Sequence, residues 1–147
     1  MKKVLAVASG GGHWVQLLRL RPAFSGTALQ YLTTNSEYGA DVSERLHVVT
    51  DANIWEKAKL VRMFAEVFWI LLRTRPHVIV TTGAAPGFAA VLLGRLLGAK
   101  TVWIDSIANS EDVSNSGRYA RRWATAWVTQ WEHLSGDNGP DYWGSVL

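Results

Sequence analysis

The chain contains no cysteine. Disulfide scaffolds, zinc–cysteine sites, iron–sulfur ligation and thiol catalysis are thereby excluded. Long apolar runs are missing as well, since no stretch reaches the roughly 18–20 residues that a membrane span needs. Met1-Lys2-Lys3 has the basic character of a secretion signal. The apolar run behind it, Val4–Ala8, stops at Ser9-Gly10-Gly11-Gly12, well short of the roughly 7–15 residues of a signal core. Such a run reads as a buried strand, and the protein as cytoplasmic, meeting a membrane only at its surface. Charge of one sign is scarce: 15 Lys+Arg against 12 Asp+Glu leave a net +3, too little to indicate a nucleic-acid partner. No repeat, low-complexity tract or linker divides the 147 residues, which read as one domain, 1–147. What the chain does have is a 48% apolar composition and eight tryptophans. These either fill the core or serve partner, sugar or membrane-interface contacts.

Apolar runs and helix-like segments alternate. The expected strands are Lys3–Ala8, Ala28–Thr34, Leu46–Thr50, His77–Thr82, Lys100–Asp105 and Ala126–Trp131; the expected helices are His13–Arg21, Trp55–Thr74, Pro86–Leu97 and Gly117–Trp123. Strands such as Val78-Ile79-Val80 are apolar on both faces, as parallel strands covered by helices are. The pattern predicts an α/β fold, a single Rossmann-like, doubly wound parallel sheet. Ligands of such sheets sit outside the carboxyl ends of the strands.

The residues at those ends are Gly, Ser, Asn, Asp and His in unusual density. Ser9-Gly10-Gly11-Gly12-His13 follows the first strand and opens a helix, a place where free N–H groups favour phosphate. It departs from the dinucleotide fingerprint, because Val15 stands at the third glycine position, and no Gly-Lys-Ser/Thr follows as in a P-loop. It is either a phosphate-binding turn or a structural one. His13 at its mouth is suited to hold a phosphate, to act as a general base, or to serve as a structural hydrogen-bonder. Thr82-Gly83-Ala84-Ala85-Pro86-Gly87 forms a second glycine turn, with Gly83 for the reversal and Pro86 for the first helical turn. Asp105-Ser106 ends another strand; Asp105 either orients His13 or caps the next segment.

Two segments suggest surfaces. Lys57–Arg75 carries more apolar residues than a sheet-packed helix needs, with Lys59, Arg62, Glu66 and Arg73 on one narrow stripe. It is either a largely buried helix or a membrane or partner contact. Arg118, Arg121 and Arg122 beside Trp123, Trp127 and Trp131 form either a phosphate-binding cluster or a solvated helix face. The apolar tail Asp141–Leu147 is expected to dock on this domain or on a partner.

The order of these motifs, with Ser114-Asn115-Ser116-Gly117, Gln130-Trp131 and Tyr142-Trp143-Gly144, resembles one family over almost the whole chain. It is the acceptor-side, membrane-associated subunit of two-part UDP-sugar glycosyltransferases. A eukaryotic member serves the second N-acetylglucosamine addition to dolichol diphosphate; bacterial PssD-type members serve exopolysaccharide assembly. The resemblance implies the N-terminal, acceptor half of a GT-B glycosyltransferase, akin to that of MurG-type enzymes. A separate small subunit would bind most of the UDP-sugar, and this chain the polyprenyl-diphosphate-linked glycan.

Residue by residue, the resemblance implies His13 as the base and Asp105 as its acidic support. By the same analogy Gly11 and Gly12 would face the lipid diphosphate. Ser9, Gly10, Gly83, Gly87, Ser106 and Arg118, from the glycine turns and their surroundings, are expected to complete the substrate site, and Tyr142, Trp143 and Leu147 to meet the partner subunit. It implies neither metal nor cofactor, because protein dipoles can stabilise the departing UDP. Eukaryotic members carry an N-terminal anchor, whereas this chain begins at the first strand, so attachment to the cytoplasmic membrane face is expected through Lys57–Arg75 or a partner. The family commonly has Glu where Asp105 stands, one methylene longer. The rival readings are a non-catalytic membrane adaptor and a stand-alone nucleotide-dependent oxidoreductase.

Overall fold

Four consecutive apolar residues in Lys3–Val7 (β1) are buried, which requires cover on both faces of the strand. β1 lies inside a seven-stranded sheet in the structure, a computed structural model that describes residues 1–146. The other strands are Ala28–Thr33 (β2), Leu46–Val48 (β3), Val78–Thr81 (β4), Lys100–Ile104 (β5), Ala126–Thr129 (β6) and Asp141–Tyr142 (β7). Every pairing is parallel, in the order β3-β2-β1-β4-β5-β6-β7. The expected α/β fold with a parallel sheet is therefore observed.

The helices are Gly12–Arg19 (α1), Lys57–Thr74 (α2), Ala84–Leu96 (α3) and Asn115–Ala120 (α4). On one face of the sheet Trp14, Leu17 and Phe24 pack against Val4, Ala6, Tyr31 and Val80. On the other, Met63, Val67 and Leu71 of α2 and Ala89 and Ala90 of α3 pack against Leu5, Val7, Leu32 and Ile79. Trp14 and Trp103 belong to the core, whereas Trp55, Trp69 and Trp143 are exposed.

Three expectations change. The helix expected from Pro86 starts at Ala84, because Gly83 (φ 124°) and Ala84 (φ 67°) turn the chain sharply before it. The Lys57–Thr74 helix is not largely buried: Met63, Val67 and Leu71 face the sheet, while Val61, Phe68, Trp69 and Leu72 are exposed. The tail adds a strand that no periodicity announces. β7 pairs with β6 through Val128↔Asp141 and Thr129↔Tyr142. Beyond it, the Val146 N–H donates to Gln130 Oε1 and Arg19 donates to the Val146 carbonyl. The tail thus docks on its own domain. Trp143 to Val146 line an apolar cleft of about 350 Å³ with Phe24, Val80, Val102, Ile104 and Val128. Tyr142 and Trp143 remain exposed, and Leu147 lies outside the described residues.

Gly87 is a packing residue rather than a ligand-facing one. A Cβ there would stand 2.2 Å from Thr81 Oγ1 and 3.2 Å from Thr81 Cβ, so only glycine lets α3 approach β4. Thr81 cannot swing away cheaply, since its Oγ1 accepts the Gly83 N–H at 3.0 Å. Gly87→Ala is expected to destabilise the fold by about 1–3 kcal/mol, outweighing the helix-propensity gain of roughly 1 kcal/mol. Urea unfolding measures the difference.

Candidate active site

β1 and β4 are neighbours, with Val7 opposite Thr81. Their carboxyl ends place the Ser9–His13 turn beside the Thr82–Ala84 turn at the point where the strand order reverses. A cleft of about 350 Å³ opens there, lined by His13, Gly83, Trp103, Asp105, Ser106 and Asn109 among others.

Thr82 fixes His13 from two sides. The His13 Nδ1 lies 2.9 Å from the Thr82 carbonyl, and the Thr82 hydroxyl donates to the His13 carbonyl at 2.6 Å. A carbonyl oxygen only accepts, so Nδ1 carries the proton and the neutral ring keeps its lone pair on Nε2. Gly83 makes room for the imidazole: a Cβ there would stand 3.3 Å from both Cε1 and Nδ1. The half-buried ring is thus held in the tautomer that can accept a proton at Nε2.

The glycine turn is less open than its sequence suggests. Gly11 has φ 68°, a conformation that favours glycine. Its N–H donates to Tyr38 Oη at 2.8 Å. Tyr38 in turn stacks on Trp14, ring centroids 4.8 Å apart, and Trp14 donates to Asp41 at 3.0 Å. Gly10 faces the same phenol, while Gly12 opens α1 onto free space. Ser9 is half-buried at the end of β1.

Asp105 shares the cleft with His13, but no hydrogen bond joins them; the expected direct orientation of His13 is not what the structure shows. The buried carboxylate accepts from Ser114 Oγ, from the Ser114 N–H at 2.8 Å, from Trp103 Nε1 at 3.1 Å and from Asn109 at 3.4 Å. Ser114 then caps α4 by accepting the Gly117 N–H. A Cβ on Gly117 would meet Asp105 Oδ1 at 2.9 Å. Asp105 therefore shapes the cleft wall and holds Ser114, which is itself the cap of α4, so neither orienting His13 directly nor capping the next segment is the contact it makes. Arg118 is not in the cleft: it pairs with Asp112 on the surface, a contact worth at most about 1 kcal/mol. Arg121 lies over its own Trp127 ring, 5.4 Å from the centroid. The basic cluster is thus partly spent within the chain.

Ser106 belongs to a buried amide relay that sequence reasoning missed. Gln16, one turn after His13, donates to Ser106 Oγ and accepts from the Ile107 N–H and from Gln130. Gln130 also donates to the Asp105 carbonyl and accepts from Val146. Helix α1, the 105–107 loop and the tail are thereby joined. Among the described residues no group of three or more His, Asp or Glu is placed to hold a metal.

Among solved structures, MurG of Acinetobacter baumannii superposes on the whole of this chain with a TM-score of 0.79 at 14% identity, over 46% of MurG. A glycosyltransferase of Rickettsia africae matches 88% of the chain with a TM-score of 0.64 at 13% identity, over 36% of its own length. The fold is close to the N-terminal domains of GT-B glycosyltransferases. In sequence, 72 residues, 44% of this chain, are 36% identical to the UDP-N-acetylglucosamine transferase subunit ALG14 of Eremothecium gossypii. The matched stretch is 31% of that relative, so this chain spans under half the length of each of these three proteins. No protein-family model matches. The partial sequence match and the shared fold together support a glycosyltransferase-related role.

Replacing Asp105 tests its architectural part. Asp105→Ala strands several donors of a buried hub and is expected to cost about 3 kcal/mol of stability. Denaturant unfolding measures it; a loss below a third of that would show the hub to be dispensable.

Proposed function

We propose that this chain is the acceptor-binding subunit of a two-part inverting glycosyltransferase. Its partner binds the UDP-sugar, and the acceptor is a polyprenyl-diphosphate-linked glycan at the cytoplasmic membrane face, in polysaccharide biosynthesis. The observation that carries the reading is His13, held with Nε2 ready to accept a proton, beside a glycine turn at the cleft of a domain with a GT-B-like fold. The ALG14 match supports the division of labour between subunits, since that relative is itself named a transferase subunit.

In this reading the acceptor hydroxyl attacks the anomeric carbon of the UDP-sugar from the side opposite the leaving group. The new C–O bond forms as the bond to UDP breaks, UDP departs with the electron pair, and the hydroxyl proton passes to His13 Nε2. Thr82 keeps the other ring nitrogen protonated, so the base enters the reaction in one tautomer. Gly12, which opens onto free space, would meet the acceptor diphosphate or its glycan in this reading, with Ser9 and Ser106 at the same edge. Tyr142 and Trp143, exposed along the docked tail, are the candidate contacts for the partner, together with Leu147.

His13→Ala, assayed with the donor-binding subunit present, is expected to lower kcat about 10²–10⁴-fold while the two chains still co-purify. Full activity would favour the adaptor reading, in which this chain only recruits and activates the partner. Deleting Tyr142–Leu147 is expected to weaken co-purification of the pair; an unchanged yield of complex would remove the tail from the interface.

A further inference from the structure

Helix α2 has two apolar stripes. Met63, Val67 and Leu71 face the sheet. Val61, Ala65, Phe68, Trp69 and Leu72, spaced i, i+4, i+7, i+8 and i+11, form a second stripe on the exposed side. Residues at those intervals share one face of a helix. Ile54 and Trp55, 67% and 85% exposed, extend the apolar surface from the amino end of α2.

The carboxyl-terminal half of α2 is flanked by two clefts at the edge of the sheet remote from His13. One, of about 530 Å³, is lined by Lys3, Arg45, His47, Trp69 and Arg73 among others; the second, of about 600 Å³, by Lys2, Arg75, His77 and Lys100 among others. Neither lining includes an Asp or Glu. The ion pairs among the described residues use Arg21, Lys59, Arg62 and Arg118, so Lys2, Lys3, Arg45, Arg73, Arg75 and Lys100 are left unneutralised at one end of the molecule. Many carboxylates, among them Asp51, Asp105, Glu111 and Asp112, sit in segments that follow strand carboxyl ends, at the other end. A modest net charge thus conceals a strongly polarised one. Arg73 also lies over Trp69, 5.6 Å from the ring centroid, joining the basic cleft to the apolar stripe.

We propose that the Lys3–Arg45–Arg73 cleft binds the phosphate of an acidic phospholipid headgroup while the Val61–Leu72 stripe enters the adjoining interface, making this surface selective for anionic membranes. Apolar area and cationic charge side by side are what a peripheral anionic-lipid site requires. A soluble phosphate would use the cleft and leave the exposed stripe without a partner, which is why the membrane is the favoured source. Because α2 starts at the carboxyl edge of the sheet, the apolar surface runs from Ile54 and Trp55 at that end to the basic clefts at the other. The proposal deepens the membrane contact of the proposed function and rests on that reading only for its need of a bilayer.

The test is flotation of the full chain with phosphatidylcholine vesicles and with vesicles containing phosphatidylglycerol. Wild type is expected to prefer the anionic vesicles strongly, with the preference falling as salt rises. Each neutralised cation is expected to weaken anionic binding about fivefold, so Lys3→Gln/Arg45→Gln/Arg73→Gln loses about a hundredfold with its unfolding midpoint unchanged. Phe68→Ser/Trp69→Ser is expected to weaken binding to both vesicle types. Equal wild-type affinity for both vesicles, or a triple variant as tight as wild type, would overturn the proposal. So would displacement by inorganic phosphate at constant ionic strength, which would assign the cleft to a soluble ligand. Loss of sugar transfer with lipid selectivity intact would strike the proposed function alone.

Discussion

The pairing of β1 with β4 is the constraint from which the rest of the candidate site follows. The two strands are far apart in sequence and adjacent in space, with Val7 opposite Thr81. Only that adjacency brings the glycine turn after β1 against the turn after β4. Thr82 then reaches His13 by two hydrogen bonds, and the tautomer of the imidazole is decided by a backbone carbonyl. A parallel sheet needs long crossovers between its strands, and here the α2 crossover returns the chain to the middle of the sheet. The exposed stripe of α2 and the His13 cleft are in this sense products of the same connection.

Around the imidazole, polar side chains build walls. Among the described residues no cation pairs with the Asp105 carboxylate; neutral donors from Ser114, Trp103 and Asn109 surround it. Burying such a group is tolerable only when its oxygens are well satisfied, and these hydrogen bonds tie the end of β5 to the start of α4. Gln16 and Gln130 do the same between α1, the 105–107 loop and the tail. The polar groups of this edge are occupied with one another, which is how a scaffold holds a reactive group in one geometry.

The central strands were legible because residues such as Val4–Val7 and Val78–Val80 are apolar on both faces, a pattern that a parallel sheet alone explains. The glycine turns were legible because they fall where such strands end. The two-residue strand Asp141–Tyr142 was not, since it has no periodicity and depends on the edge of β6. Nor was the task of Asp105, whose main partner Ser114 comes from a later loop, or that of Tyr38, which reaches the glycine turn from beyond β2. For α2 the abundance of apolar residues was plain; which stripe faces the sheet is decided by packing that a single helix does not encode. Gly87 read as a ligand contact because it belongs to the second glycine turn; Thr81 lies across from it instead.

The Tyr38 phenol has a kinetic side. It occupies the Gly11 N–H, the donor that an incoming anion would seek, and it is held there by its stacking on Trp14. Any ligand oxygen that takes that N–H must first evict the phenol, so occupation of the turn and release of the Tyr38 segment become one event. For a ligand that used this N–H, entry would be paced by how often the two aromatic rings part, and departure by how quickly they close again.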